Sequence, residues 1–213
     1  MLRREEALAR VGPSPGGTSG GRSAPRHGPP PRCGLPRTGN RGSARYAPAG
    51  GPVVLARRPA RPASLCIYST TNGSAAKWGT AALVGQLQAA ARTAYAGGAG
   101  PVAVGDIALE HGGDIQGHDS HEVGLDVDVR FMRKDRRQCT TPTGSWSDPT
   151  YDRAATRELV RAIRARARGH VKVIFFNDPV LIREGLTTHW PRHDDHLHVR
   201  YCEQGHPNPA YAC

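Results

Sequence analysis

Long apolar runs are absent from this 213-residue chain. No stretch approaches the roughly 20 apolar residues that a membrane-spanning helix needs, so the sequence predicts no transmembrane segment. A recognisable secretory leader is missing as well. Such a leader joins a basic start to an apolar run and a small-residue cleavage site. MLRREEALARVG has the basic start without the run, and GGPVVLARRPARPA is short and broken by arginines. Three readings stay open: export by another route, no export, or a biological start other than the recorded one. Also absent is any CxxC pair among Cys33, Cys66, Cys139, Cys202 and Cys213, which weakens a zinc-ribbon reading. Cys66 opens the region expected to be ordered, and Cys202 and Cys213 bracket its end. A disulfide tying these termini would suit an oxidising compartment. Buried or idle thiols fit the pattern equally, and the pairing among Cys66, Cys139, Cys202 and Cys213 is open at this point.

Residues 64–213 lack a charge excess. They hold 17 Lys+Arg against 16 Asp+Glu, whereas residues 1–63 hold 12 Arg and 2 Glu. The formal charge of +11 therefore belongs almost wholly to the N-terminal segment. A nucleic-acid groove would need basic residues clustered on the fold itself, so this split argues against nucleic acid as a partner. The N-terminal segment is Gly- and Pro-rich, as in GPSPGGTSGGRSAPRHGPPPRCGLPRTGN, with few large apolar residues and no sustained period. It cannot bury enough surface to offset its ordering entropy, and its composition predicts disorder over residues 1–63. Residues 64–213 are expected to form one domain.

Within that domain, KWGTAALVGQLQAAARTAYAGG predicts a helix capped by Thr80 and ended by Gly97. Leu83, Val84, Leu87, Ala91 and Ala94 form its apolar stripe. PVAVGDIAL alternates like a short strand, and EHGGDIQGHDSHEVG reads as a loop. LDVDVRF is the cleanest strand signal: Leu125, Val127, Val129 and Phe131 face one way, Asp126, Asp128 and Arg130 the other. Residues 133–150 read as a polar excursion. YDRAATRELVRAIRARAR predicts a second helix capped by Asp152, with Leu159, Val160, Ile163 and Ala167 inward. HVKVIFFN reads as a buried strand. Asp178 and Pro179 start a short helical turn. DHLHVRYC is the last strand, with His196, His198 and Arg200 on one face and Leu197, Val199 and Tyr201 on the other. Few helices, not alternating regularly with strands, predict an α+β fold around a small, mostly antiparallel sheet.

If the two clearest strands are neighbours, His121, Asp128 and His198 converge on one point. Two imidazoles and a carboxylate match a catalytic zinc site, which keeps a fourth position open. A closed structural site would want a further ligand, usually cysteine, and neither motif contains one. A metal held there would polarise a carbonyl oxygen and lower the pKa of its water toward ~7. His196 shares the strand face with His198, and His193 sits at the mouth of the same strand. Both reach the site as general base or as donor to a developing oxyanion. Asp194 and Asp195 are placed to orient an imidazole. The blander reading of Asp126 is a solvated carboxylate, or a partner of Arg130.

GGDIQGHDSHEVGLDVDVRF and HDDHLHVRYC resemble the penicillin-insensitive murein endopeptidases. These belong to a wider group that includes lysostaphin, D-alanyl-D-alanine peptidases and the hedgehog signalling domain. The group shares a His-x6-Asp motif and a later His-x-His on a small antiparallel sheet with flanking helices. The resemblance runs roughly over residues 76–202 and includes KWGT and VIFFNDPVL. It implies Zn2+ held by His121, Asp128 and His198, with His196 as catalytic base or transition-state donor and His193 as a further active-site histidine. His118 matches a histidine that some members use toward a second metal. The further Asp and His of such a second site have no convincing counterpart between Arg133 and Tyr151. The implied substrate is peptidoglycan, cut at the D-alanyl–diaminopimelyl cross-link between stem peptides, and the implied location is periplasmic or secreted. Two alternatives share these residues. One is a D,D- or L,D-carboxypeptidase acting on wall peptides, and the other is a metal-stabilised binding module without catalysis. Retention of His196 and His193 beside the ligands argues against the second, because a binding module needs no base.

Overall fold

The computed structural model describes residues 62–68 and 70–213. Most of the basic segment assigned to residues 1–63 lies outside the described residues. The remainder forms one mixed sheet with helices, in the chain order β1 (Leu65–Ile67), α1 (Ala81–Ala96), β2 (Val102–Val104), β3 (Asp126–Arg130), α2 (Arg153–Ala167), β4 (Val171–Phe175), α3 (Pro179–Arg183) and β5 (His196–Tyr201). The strand order is β1-β2-β3-β5-β4. Three of the four pairings are antiparallel, as expected, and β1 pairs with β2 in parallel.

Both long helices start where the sequence places them. The Thr80 side chain accepts from the N–H of Leu83, and that of Asp152 from the N–H of Ala155. Each satisfies one of the N–H groups that a first helical turn leaves without an intrahelical partner. The stripes Leu83, Val84, Leu87, Ala91, Ala94 and Leu159, Val160, Ile163, Ala167 are all buried. They join Val127, Val129, Leu197, Val199 and Tyr201 from the sheet in a single core. The two helices pack on each other, and Arg166 of α2 donates to Thr93 Oγ1 of α1. One face of β3 and β5 is thereby committed to the core. Strand alternation leaves their histidines and carboxylates on the other face.

Two sequence expectations need correction. HVKVIFFN is not a fully buried strand. β4 lies at the end of the sheet order, and of Val171–Phe175 only Ile174 is buried, with Lys172 exposed. An apolar run cannot by itself separate a central strand from an edge strand that packs on one side. The termini of the domain are also not tied to each other by a disulfide. Cys66 in β1 is bonded to Cys139 in the polar excursion, and Cys202 at the end of β5 to Cys213.

Candidate metal centre

The register of β3 against β5 sets Asp126 opposite Arg200, Asp128 opposite His198 and Arg130 opposite His196. This makes a polar ladder on the face away from the helices. His121 arrives from the preceding loop with φ of +74°, a conformation that costs a non-glycine residue roughly 1–3 kcal/mol. Two hydrogen bonds hold it there. Its backbone N–H donates to Asp126 Oδ2 at 3.2 Å, and its Nδ1 meets the carbonyl of Ile107 at 2.7 Å. The loop folds back tightly to make this possible. At Gly112, with φ of +72°, a Cβ would stand 2.5 Å from the carbonyl oxygen of Glu122, so no side chain fits.

The three expected ligands come together. His121 Nε2 lies 3.1 Å from His198 Nδ1, and Asp128 Oδ1 lies 3.3 Å from the first and 3.1 Å from the second. Their outer atoms fix their tautomers. The Ile107 carbonyl can only accept, so His121 donates from Nδ1 and turns the lone pair of Nε2 inward. His198 Nε2 faces Asp126 Oδ1 at 2.9 Å and donates to it, which turns the Nδ1 lone pair inward. Two lone pairs and a carboxylate oxygen thus point at one another in a buried site. Such a set fits a cation. Ligand atoms ~2.0–2.1 Å from a tetrahedrally bound zinc stand ~3.3 Å apart, close to the spacing found here. The outer contacts are those typical of metal-bound histidines, a backbone carbonyl for one and a carboxylate for the other.

The electrostatics agree with that demand for positive charge. Burial opposes ionisation of Asp128, but His121 and His198 outweigh it and hold the carboxyl well below its usual range. Burial likewise opposes the charged form of His198, and its hydrogen bonds to Asp126 and Asp128 raise it to about 9, so a cation bound at Nδ1 takes the place of a proton shared with Asp128. Asp126 is neither solvated nor paired with Arg130. It is fully buried and accepts from Tyr211, Arg200, His198 and the His121 backbone. Arg130 instead donates to the carbonyls of Gln138 and Thr141 and lies over the Tyr68 ring at 3.9 Å.

His118 stands beside this cluster. Potential ligand atoms of His118, His121 and Asp128 all lie within 4.8 Å of one another. The other nitrogen of His118 meets Asp106 Oδ2 at 3.2 Å. Asp106 also accepts from Thr70, Asn72 and the buried Lys77. Of these four residues Lys77 falls in KWGT and Asp106 in PVAVGDIAL, and no sequence pattern gives any of them a role at the site. The one available signal is an aspartate directly after the apolar run VAVG, where a loop carboxylate is easily read as solvent-facing.

His196 and His193 stand beside these three side chains. Asp195 Oδ1 meets His196 Nδ1 at 2.7 Å, and His196 Nε2 lies 3.6 Å from Asp128 Oδ1. Burial works against a proton on His196, but Asp195 and Asp128 raise its pKa. His193 donates from Nδ1 to the Pro191 carbonyl, and burial pulls it down to about 4. Its ring lies 4.9 Å from that of His196 and 5.5 Å from that of His198. Phe175, stacked on the partly exposed Trp190 at 5.0 Å, walls the same side. Asp194 does not orient an imidazole; it accepts from Trp146 Nε1 and Asn177 Nδ2.

A family model described as penicillin-insensitive murein endopeptidase matches residues 68–175, just over half of the chain. The chain belongs to this family. No curated protein matches it. The matched span contains His118, His121 and Asp128, and the β3–β5 pairing brings His198 and His196 to them from outside it. Among the described residues no helix of this murein endopeptidase family member is long and apolar enough to cross a membrane.

Proposed function

We propose that residues 64–213 form a zinc-dependent murein endopeptidase that hydrolyses the D-alanyl–diaminopimelyl cross-link between peptidoglycan stem peptides. The observation that carries this reading is the convergence of His121 Nε2, Asp128 Oδ1 and His198 Nδ1, with both imidazole lone pairs turned inward, in a member of the murein endopeptidase family. When bound, zinc would polarise the scissile carbonyl and acidify water at the site toward a pKa of ~7. The remaining chemistry falls to the chain. His196, held by Asp195 through Nδ1, presents Nε2 toward the ligand cluster. It serves as general base and then as proton donor to the leaving amine. His193 sits beside it as a neutral imidazole whose Nδ1 proton is given to Pro191, which leaves Nε2 to accept a hydrogen bond from substrate or water. The two disulfides suit action in the periplasm or outside the cell.

The test is incubation of the zinc-loaded protein with purified cross-linked muropeptides, with and without a chelator, and identification of the products by mass. Monomeric stem peptides formed only without chelator are expected. Release of terminal D-alanine from uncross-linked peptides would make the protein a carboxypeptidase. Zinc binding with no turnover of either substrate would make the domain a binding module.

A further inference from the structure

Residues 203–213 follow β5 and lie beyond the span matched by the family. They do not trail away from the domain. Glu203 and Ala212 form a parallel bridge, Cys213 is bonded to Cys202, and Lys172 on β4 donates to the carbonyls of Pro209 and Ala212. The loop so closed delivers one side chain inward. Tyr211 is 3% exposed, and its hydroxyl donates to Asp126 Oδ2 at 2.7 Å. The Arg200 guanidinium lies 4.9 Å from the centre of the Tyr211 ring while its Nε donates to Asp126 Oδ1 at 2.8 Å.

Asp126 connects this loop to the metal centre. Its Oδ1 accepts from His198 Nε2 and its Oδ2 from the backbone of His121, so one carboxylate orients both imidazole ligands. The Oδ2 atom has two donors, and the bond from Tyr211, at 2.7 Å, is shorter than that from His121, at 3.2 Å. Removing the hydroxyl leaves Oδ2 with the longer bond alone. The carboxylate, still held at Oδ1 by Arg200 and His198, is then less firmly fixed at Oδ2, and the common aim of His198 Nδ1 and His121 Nε2 is loosened. We infer that Tyr211 is a positioning residue of the metal centre, acting through Asp126, and that the Cys202–Cys213 disulfide holds it in place. This inference rests on the metal-centre reading proposed above and deepens it.

The test uses the full chain as wild type, as Tyr211→Phe, as the pair Cys202→Ser/Cys213→Ser, and as all three changes together. Zn2+ affinity is measured by competition with a chromophoric chelator, and the visible spectrum of the Co2+ form reports the coordination geometry. Loss of an outer partner of a metal ligand typically costs ~10–100-fold in affinity. Tyr211 stands one bond further out than Asp126, so Tyr211→Phe is expected to lose the lower end of that range, ~10-fold, and to shift the Co2+ bands while unfolding cooperatively. The cysteine pair is expected to act in the same direction. Adding Tyr211→Phe to it should cost less than Tyr211→Phe alone, because both changes work through one carboxylate. A Tyr211→Phe protein that unfolds more easily but keeps wild-type affinity and Co2+ spectrum overturns the inference and leaves the metal centre standing. A wild-type protein that takes up neither metal overturns the metal-centre reading itself, and this inference with it.

Discussion

Lys77 and Asp106 meet at 2.8 Å with both side chains almost wholly buried. Burial pulls the Lys77 ammonium down and opposes the charged Asp106, yet hydrogen bonds from His118, Lys77, Thr70 and Asn72 hold that carboxyl far below its usual range. Breaking a buried pair by removing one partner strands the other charge and costs about 3–5 kcal/mol. Lys77→Met is therefore expected to destabilise the domain by about 3 kcal/mol, the low end, because Asp106 keeps three other donors. Urea unfolding of both proteins measures it, and an unchanged midpoint would remove the pair from the stability of the fold.

His198→Ala should abolish stoichiometric metal binding, since it deletes one of three converging ligand atoms. His196→Ala should keep the metal and lose ~10²–10⁴-fold in turnover of muropeptides, the usual cost of an absent acid–base group. Metal analysis and product formation on the same two preparations separate the roles. Zinc lost from the His196 variant would turn that residue into a ligand.

The Cys66–Cys139 bond fastens the excursion of residues 133–150 to the outer strand β1. Replacing both cysteines by serine is expected to cost about 2–5 kcal/mol, chiefly through greater freedom of the unfolded chain. Denaturant titration under non-reducing conditions provides the number.

Asp178 gives a pH dependence whose sign follows from its surroundings. Burial would raise its pKa, but Tyr151, Arg153 and the backbone of Val180 bond the carboxylate and lower it overall. A folded pKa below the unfolded value contributes stability that is present above the unfolded value and is lost as pH falls through the folded one. Asp178→Asn should thus be less stable than wild type at pH 7, and the gap should begin to narrow near pH ~4 and close as pH falls through the lower folded value. Unfolding curves between pH 3 and 7 test this; a gap that widens on acidification would contradict it.

A chain beginning at Ser64 is expected to fold, bind zinc and process soluble muropeptides like the full chain, because no candidate ligand lies earlier. It should bind intact sacculi more weakly at low salt, since the N-terminal segment carries a net +10 and such attraction is screened by ions. Failure on soluble substrate would move the domain boundary.

What the sequence made legible was short-range. Thr80 and Asp152 mark helix starts through their own side chains, and the alternation of DVDVR and HLHVRY settles which residues share a face. The two clusters then needed only one assumption, that β3 and β5 are neighbours. Long-range partners left no such trace. Asp126 reads as one more polar strand residue because its side-chain donors are far along the chain; Tyr211 is 85 residues away. Four cysteines allow three connectivities, which spacing does not separate. β1, three residues long, is too short for periodicity to register and gains its place from pairing with β2.

The order β1-β2-β3-β5-β4 puts the last strand of the domain between two earlier ones. A ribosome delivers β3 and β4 before the element that joins them exists, so the sheet closes only when residues 196–201 have emerged. His196 and His198 ride on that strand, and Tyr211 follows it. A nascent or prematurely ended chain therefore carries two of the three candidate ligands and no base. The candidate site is thus assembled only when the last strand pairs with β3, a timing that comes from topology.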